Sequence, residues 1–549
     1  MKKKLLALLL VTAMSVGCMA CGSTNEDSTS TSDGASTSSD ATGEGTSSTG
    51  GNTVVIAMGS GFSTLDPGYM YEQNPTLVAN ACYETLFKFV DGKDEPLPSL
   101  AESYEFSEDG LSCTIKLNQK ATFASGNPVT SADVAFSLNR TKNLQGNPSF
   151  ICANISSIDT PDDYTVVINQ TTADSALLSK LCYAACSVLD SQVVKENGGT
   201  DAEDAATTDT AQAYLDSTSA GSGMYVLTSY TADEEILLEK NENYYGTVTN
   251  VDKYIIKLQD DANTQMMGLS SGDIDIALNL TDDTMSELDG NESVATINSS
   301  TKTVGFLMMN EDETLGGPVS DPTVQQAIKY ALDFAGIQTI CGEGSVTPES
   351  IIQVGFMGSA GAKDVTTSQD LEKAKALMKE AGYESGFTIE MPVCELDMEG
   401  VALLDLAQKV KSDLAAINIT VNIEQQDWAG GFGDDYRNGK IGFTVMYWGI
   451  DYNDPNVQLV FLPGQEVGLR ANWTVDGQDE IISLYNQILS ATDNTSRSEL
   501  LTEVQSKISD NSPFLMLAQA ACHVGYNSRL NGVNFSDTYR IDVTTVNVK

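Results

Sequence analysis

Apolar residues along this chain recur with two periods, and the switch between them sketches the architecture. Thr53 to Met58 (TVVIAM) reads as a buried strand, and TLDPGY, Thr64 to Tyr69, as the turn after it. Leu111, Cys113, Ile115 and Leu117 alternate with polar residues, the signature of a half-buried strand, and YTVVINQ, Tyr164 to Gln170, reads as another. Thr130 and Asp133 form a capping-box pattern that opens a helix through Arg140, because each can satisfy a backbone N–H of the first turn. The run Thr200 to Thr210 is polar and reads as a surface insertion. In the second half helix and strand alternate. Asp321 can cap and Pro322 can start a helix carrying Val324, Ala327, Ile328, Ala331 and Leu332 on one face. Ser368 is expected to open the next, LEKAKALMKEAG, with Gly382 placed to end it. A strand (Phe387 to Val393), an amphipathic helix (Val401 to Ala416) and a strand with Ile419, Val421 and Ile423 alternating then make a βαβ unit, whose two strands should be parallel. The fold class is therefore α/β.

Composition bounds the rest. A chain of 549 residues exceeds what one hydrophobic core serves, so more than one domain is expected. With 76 acidic and 30 basic residues the formal charge is −46, and no basic stripe lies beyond the N-terminus, which argues against nucleic acid as a partner. Lys2, Lys3 and Lys4 precede an apolar stretch, Leu5 to Gly17, shorter than the roughly 20 residues a membrane span needs. The following SVGCMACGS resembles a bacterial lipobox, so residues 1–20 are read as a lipoprotein signal peptide, with Cys21 the lipidated residue and Cys18 its alternative. Residues 21–51 are almost wholly Ser, Thr, Gly, Asp and Glu, a composition with nothing to bury, and read as a disordered tether of roughly 30 Å root-mean-square span. Lipid, tether and globular body together place the protein on the extracytoplasmic face of a cell membrane.

Machinery for catalysis is missing from the motif inventory. There is no HExxH, no G-x-S-x-G and no phosphate-binding GxxxxGK[ST], and His523 is the single histidine, in an apolar stretch that suits a structural role. No metal site, cofactor or catalytic residue is assigned. Eight cysteines follow the lipobox without a CxxC pair; an exported chain permits disulfides, but buried free thiols are the preferred reading. Cys182 and Cys186, four apart, would share a face if their segment were helical. Asp273 and Asp275 in SSGDIDIA alternate with isoleucines and are expected to share the solvent face of a strand. The stretch YWGIDYNDP, Tyr447 to Pro455, poses the sharpest question: it sets Asp451 beside Trp448, where burial makes a charge expensive. Either an internal cation compensates it, or the site receives one from outside.

Taken in order, TLDPGY, ETLFKFVDGKDEPLPSLAESYEFSEDG, TFASGNPVTSADVAFSLNR, GSGMYVL, NENYYG, SSGDIDIA, DPTVQQAIKYALDFAGI, AKALMKEAGYESGF and WGIDYNDP resemble the extracellular solute-binding proteins of family 5, the peptide class serving ATP-binding-cassette importers. The resemblance runs from about Thr53 to the C-terminus. It implies a type II periplasmic-binding-protein fold of two α/β lobes joined by a two-segment hinge, with a domain inserted in the first. On this chain, residues 52–90, 216–303 and 521–549 would form lobe I, 91–215 its inserted subdomain and 304–520 lobe II. It further implies that Asp451, at the family's spacing from Trp448, meets a peptide's α-ammonium, that Trp428 lines a side-chain pocket, and that Tyr71, Glu72 and Gln73 contact ligand from lobe I. Arg470 is the candidate for a peptide carboxylate; Arg437, in a polar helix-like stretch, reads as a surface residue. The implied protein is a monomeric receptor that hands di- or oligopeptides to an importer permease. Alternatives are an oligosaccharide, metal-chelate or peptide-pheromone cargo, and, in other classes, a secreted hydrolase or a surface adhesin.

Overall fold

Two long strands, Val294–Met309 and Phe514–Asn527, pair antiparallel within an eight-stranded sheet and determine its layout. The computed structural model describes residues 52–90, 93, 95–363 and 367–549. The signal segment 1–20 with Cys18, and the 21–51 tether with Cys21, lie outside the described residues. Across the sheet the strands run Phe443–Trp448, Val294–Met309, Phe514–Asn527, Ile276–Ala277, Thr53–Met58, Lys253–Leu258, Glu235–Lys240 and Tyr225–Thr231. Thr53–Met58 pairs parallel with both of its neighbours, and every other pairing in the sheet is antiparallel.

The ladder between the long strands shifts register twice, between Ser300 and Val304 and again between Gly305 and Phe306. Pairing runs from Val294 opposite Asn527 to Ser300 opposite Ala521, then resumes at Val304 opposite Gln519. Backbone groups released by such a break must find other partners if they are buried. The buried Gln519 side chain supplies one, its amide donating to the Thr301 carbonyl at 2.7 Å, while its oxygen accepts from the N–H of Val354, outside both strands, at 2.6 Å. Thr301 Oγ1 adds a third bond, to the Ala520 carbonyl at 3.1 Å.

Among the described residues three large hydrophobic clusters and two small ones pack around this frame. One draws on residues from Val304 to Ala520, a second gathers Thr53–Met58 with residues 189–278 and 522–546, and a third is confined to residues 86–188. The third cluster lies against a four-stranded sheet ordered Ala101–Phe106, Ser112–Leu117, Thr165–Gln170, Ile155–Asp162, to which Cys113, Ile115, Leu117, Val166 and Ile168 point inward. The βαβ unit is present as read: Phe387–Cys394 and Ile419–Gln426 pair parallel, and helix Leu403–Leu414 between them buries Leu403, Leu406, Ala407, Val410 and Leu414. Asp321 caps helix Pro322–Ala331 by accepting from the Thr323 N–H at 2.7 Å, and Asp133 accepts from the Thr130 N–H at the start of Ser131–Leu144.

Several local expectations are corrected by tertiary contacts. Helix Leu371–Glu380 is capped by Asp370, not Ser368, since Asp370 accepts from the Lys373 N–H. Asp275 and Asp273 do not share a solvent face: Asp275 is buried, pairs with Arg529 at 2.7 Å and accepts from the Val55 N–H, while Asp273 stays exposed. Cys182 and Cys186 are not on one helix, because the helix ends at Lys180 and Cys186 closes a separate 3-10 turn. All eight described cysteines are buried free thiols. His523 is buried between Asn298 Oδ1 and Asp282 Oδ1, each 3.0 Å from a ring nitrogen, and burial pushes its pKa down against the two acids, Asp282 and Glu343, that face it.

The polar run Thr200 to Thr210 is also more than a surface insertion. Its Asp209 is buried and meets Arg140 at 2.8 Å, while the other side of that guanidinium grips Asp66 of the TLDPGY turn with two bonds of 2.7 and 2.8 Å. Burial pushes the Asp209 carboxyl up, but the Arg140 guanidinium and the N–H groups of Thr200 and Ala211 outweigh it, leaving Asp209 below the usual carboxylate range. Arg140 thus ties one helix to two loops that are distant in sequence. Removing it strands two buried carboxylates, so Arg140→Ala should lower unfolding free energy by about 3–5 kcal/mol, read as a lower urea midpoint. A loss under about 1 kcal/mol would show that the triad is not a structural anchor.

Candidate functional site

The loop after strand Phe443–Trp448 holds two aspartates three residues apart, and the fold treats them oppositely. Asp454 is buried and caps the 3-10 helix Pro455–Phe461 by accepting from the Asn456 N–H at 2.9 Å. Both terminal guanidinium nitrogens of Arg497, from helix Asn494–Ile508, bond to its carboxylate, and Ser179 Oγ donates at 3.0 Å. That charge is fully compensated from within. Asp451 receives one short hydrogen bond, from the Tyr71 hydroxyl at 2.7 Å, and among the described residues no Lys, Arg or His forms an ion pair with it. Burial pushes its carboxyl pKa up; the Tyr71 hydrogen bond draws it back in part, and the nearby Glu466 charge adds to the rise.

Asp451 faces a small, partly open pocket whose walls include Tyr71, Gln73, Tyr183, Tyr452 and Asp537. Tyr183 steadies Tyr71 by donating to its backbone carbonyl at 3.2 Å. Gln73 Oε1 accepts from Arg540 at 3.4 Å, and Arg540 in turn pairs with Glu399 at 3.1 Å. Glu72, by contrast, is not on this wall; its Oε1 accepts from Ser63 at 3.3 Å.

The other candidates join one aromatic and cationic stack. Trp428 opens a short π-helical turn, Trp428–Phe432, in which Gly431 takes φ 123°, a conformation side-chain-bearing residues rarely adopt. The half-buried Trp428 ring lies 6.4 Å from that of Tyr436, and Arg470 sits 4.8 Å above Tyr436 and 5.4 Å from the Trp448 ring. Trp448 meets Phe461 edge-on at 6.0 Å, and its indole N–H is enclosed without a protein acceptor. Arg437 is largely exposed yet caps the outer face of Trp428 at 4.8 Å. Arg470 already pairs with Glu466, one helical turn away on Glu466–Arg470. In fact each of the six arginines in the chain has a carboxylate partner. Sequence reading missed Glu466, Tyr183 and Asp537; only Glu466 had a signal, its i,i+4 spacing from Arg470.

Chemically the arrangement has a negative charge that no ion pair among the described residues meets. It offers an enclosed carboxylate, a hydroxyl partner and aromatic walls. Among the described residues no cluster of His, Cys, Asp and Glu is placed to hold a metal ion, and no helix is long and apolar enough to cross a membrane.

Residues 95–466 match the model of the bacterial extracellular solute-binding proteins, family 5 (middle), and the chain belongs to that family. It is 24% identical over 490 residues to the Escherichia coli (strain K12) protein named "Probable D,D-dipeptide-binding periplasmic protein DdpA", covering 88% of this chain and 91% of that one. Among solved structures, HbpA2 from Haemophilus parasuis superposes with TM-score 0.80 at 21% identity, over 91% of this chain and all of the other. The ABC transporter-associated periplasmic binding protein DppA from Helicobacter pylori, solved with peptide STSA, gives TM-score 0.70 at 22% identity over 91% of this chain and 98% of that one. The fold is that of the type II periplasmic binding proteins of family 5, and the family is one of extracytoplasmic solute binders.

An enclosed carboxylate without a cation weakens the ligand-free protein. Because the folded-state pKa of Asp451 lies above its unfolded value, the penalty is fully present above the folded pKa and disappears as pH falls below the ordinary carboxylate value. Asp451→Asn should therefore raise Tm of the ligand-free protein at neutral pH by about 2–4 °C, the shift that ~1 kcal/mol produces in a large domain. The difference should vanish near pH 3, the ordinary range of an aspartate being about 3.9. Equal Tm values at neutral pH would show that Asp451 carries no such penalty.

Proposed function

We propose that this protein is the receptor of an ATP-binding-cassette importer, capturing di- and oligopeptides and delivering them to the permease. The observation that carries the reading is the contrast within one loop: Asp454 has Arg497, while Asp451, enclosed and hydrogen-bonded to Tyr71, has no cation of its own. A peptide's α-ammonium supplies that missing charge, and a charge-assisted hydrogen bond in a partly dry cleft is stronger than the same contact in water. The D,D-dipeptide and peptide STSA named for two similar proteins support this cargo.

In this reading residues 52–90, 216–303 and 521–549 act as lobe I, 91–215 as its insert and 304–520 as lobe II, closing about crossovers near Thr303-Val304 and Ala520. Ligand touching both lobes favours the closed state. Tyr71 and Gln73 serve from lobe I; Asp451, Trp448 and Trp428 serve from lobe II. Arg470, stacked on Trp448 and paired with Glu466, holds the wall rather than a ligand carboxylate. Residues 1–20 act as the signal, and lipid on Cys21, or alternatively Cys18, tethers a monomer to the outer face of the membrane.

Calorimetry tests the anchor. Asp451→Asn should weaken a free-amine tripeptide by about a hundredfold, roughly 3 kcal/mol for a lost buried charge-assisted bond, and leave the weak binding of its N-acetylated form nearly unchanged. Equal losses for both peptides would overturn the role of Asp451. For the lipid anchor, labelling cells with a fatty-acid analogue should show incorporation that Cys21→Ala abolishes; retention in both Cys21→Ala and Cys18→Ala would refute it.

A further inference from the structure

Two of the buried thiols stand against each other. Cys152 Sγ and Cys186 Sγ are 4.0 Å apart, and among the described residues they are the cysteines whose sulfurs meet. Cys182, the third cysteine of that part of the cluster, is committed elsewhere: its thiol donates to the Leu178 carbonyl at 3.3 Å. A cystine holds its sulfurs about 2.0 Å apart, so each has about 1 Å to travel, within reach of a small side-chain rotation. The family is one of extracytoplasmic solute binders, and disulfides form and persist outside the cytoplasm.

The same two thiols close the two turns that hold Tyr71. Cys152 ends the 3-10 turn Asn147–Cys152, and Phe150 of that turn meets the Tyr71 ring edge-on at 6.4 Å. Cys186 ends the turn Ala184–Cys186, and Tyr183, the residue before that turn, donates to the Tyr71 carbonyl at 3.2 Å. Tyr71 in its turn donates to Asp451 at 2.7 Å. Phe150 is 41% exposed and Tyr71 40% exposed, so burial does little to fix either ring, and the backbone behind them has to do it. The Cys186 turn is pinned to helix Ser131–Leu144, where Thr141 Oγ1 donates to the Ala185 carbonyl at 2.8 Å. A covalent bond between the sulfurs would tie the Phe150 turn to this pinned one.

We propose that Cys152 and Cys186 are a disulfide site, closed as the chain folds outside the cytoplasm, and that the cross-link fixes Tyr71 against Asp451. Thiolates carry the exchange. One cysteine thiolate attacks a sulfur of an external disulfide, the oxidant, of the class borne by a thiol oxidase or a small organic disulfide, and expels one thiol. The second cysteine thiolate attacks the mixed disulfide at the protein's sulfur and expels the other. One S–S bond breaks and one forms; the cysteine pair is oxidised, and its two electrons and two protons leave with the two released thiols. The step belongs to folding, because in the folded chain the Cys152 contact and burial push the Cys186 thiol well up and leave almost no thiolate. That burial then shields the finished cystine from reduction.

The test starts from the whole protein, reduced and unfolded in urea, then refolded by dilution with hydroxyethyl disulfide and mercaptoethanol. Unfolding again in iodoacetamide, followed by digestion and mass spectrometry, should recover Cys152 and Cys186 as one linked, unalkylated pair, with Cys182 alkylated. Alkylation of both, or a link from either to Cys182, overturns the site. Comparison with wild-type protein refolded under reductant tests the role of the bond. The oxidised form should melt about 5 °C or more higher, as expected for closing a loop of this length. Its amides at 69–74 and 147–152 should also exchange deuterium more slowly than in the reduced form. Equal melting and equal exchange in the two forms overturn the hold of the cross-link on Tyr71.

Discussion

The pairing of Val294–Met309 with Phe514–Asn527 is the constraint on which the rest of the structure depends. Because both strands continue through the irregularity at Ser300–Val304, one sheet serves hydrophobic clusters on either side of that point. The edge strand Phe443–Trp448 pairs only with the Val304–Met309 half, and Trp448 stands opposite Val304, the first residue after the break. Asp451 follows three residues beyond. Its loop thus leaves the sheet at a place where the ladder is interrupted and the Gln519 and Thr301 side chains bond the Thr301 and Ala520 carbonyls.

Charge is distributed with equal economy. The chain is strongly acidic, and four of its six arginines are committed to well-shielded carboxylates: Arg140 to Asp66 and Asp209, Arg497 to Asp454, Arg529 to Asp275, Arg540 to Glu399. Asp451 is among the shielded carboxylates to which no such cation is committed. A shielded carboxylate left with a hydroxyl partner is unfavourable in the free protein, and under the proposed peptide reading the same term becomes a source of affinity when a ligand brings the cation. The Trp428–Tyr436–Arg470–Trp448 stack has a different part. It uses its cation internally, in the pair with Glu466, and none of its four residues lines the pocket at Asp451.

Much of this was legible in the residues because it is local. Period-two and period-3.6 patterns, the Asp321-Pro322 start and the Phe387–Gln426 βαβ unit depend on neighbours a few residues away, and the structure contains them. The errors arose where a partner lies far along the chain. Asp275 looks like a strand-face residue until Arg529, 254 positions on, draws it into an ion pair. Thr200 to Thr210 looks like solvent-exposed polarity until Arg140 claims Asp209. Ser368 and Asp370 are both good capping residues, and the sequence offers no means of choosing between them.

By itself, then, the order of residues determined the α/β class, the lack of recognised catalytic motifs, and the membership that the ordered segments from TLDPGY to WGIDYNDP announced. It also singled out Asp451 as a charge in need of a partner. Only the tertiary structure decided which of the loop's two aspartates is satisfied, because Arg497 and Tyr71 reach the loop from opposite directions in sequence, 43 and 380 positions away. Ion pairing and burial are properties of distance in space, and no local pattern encodes them.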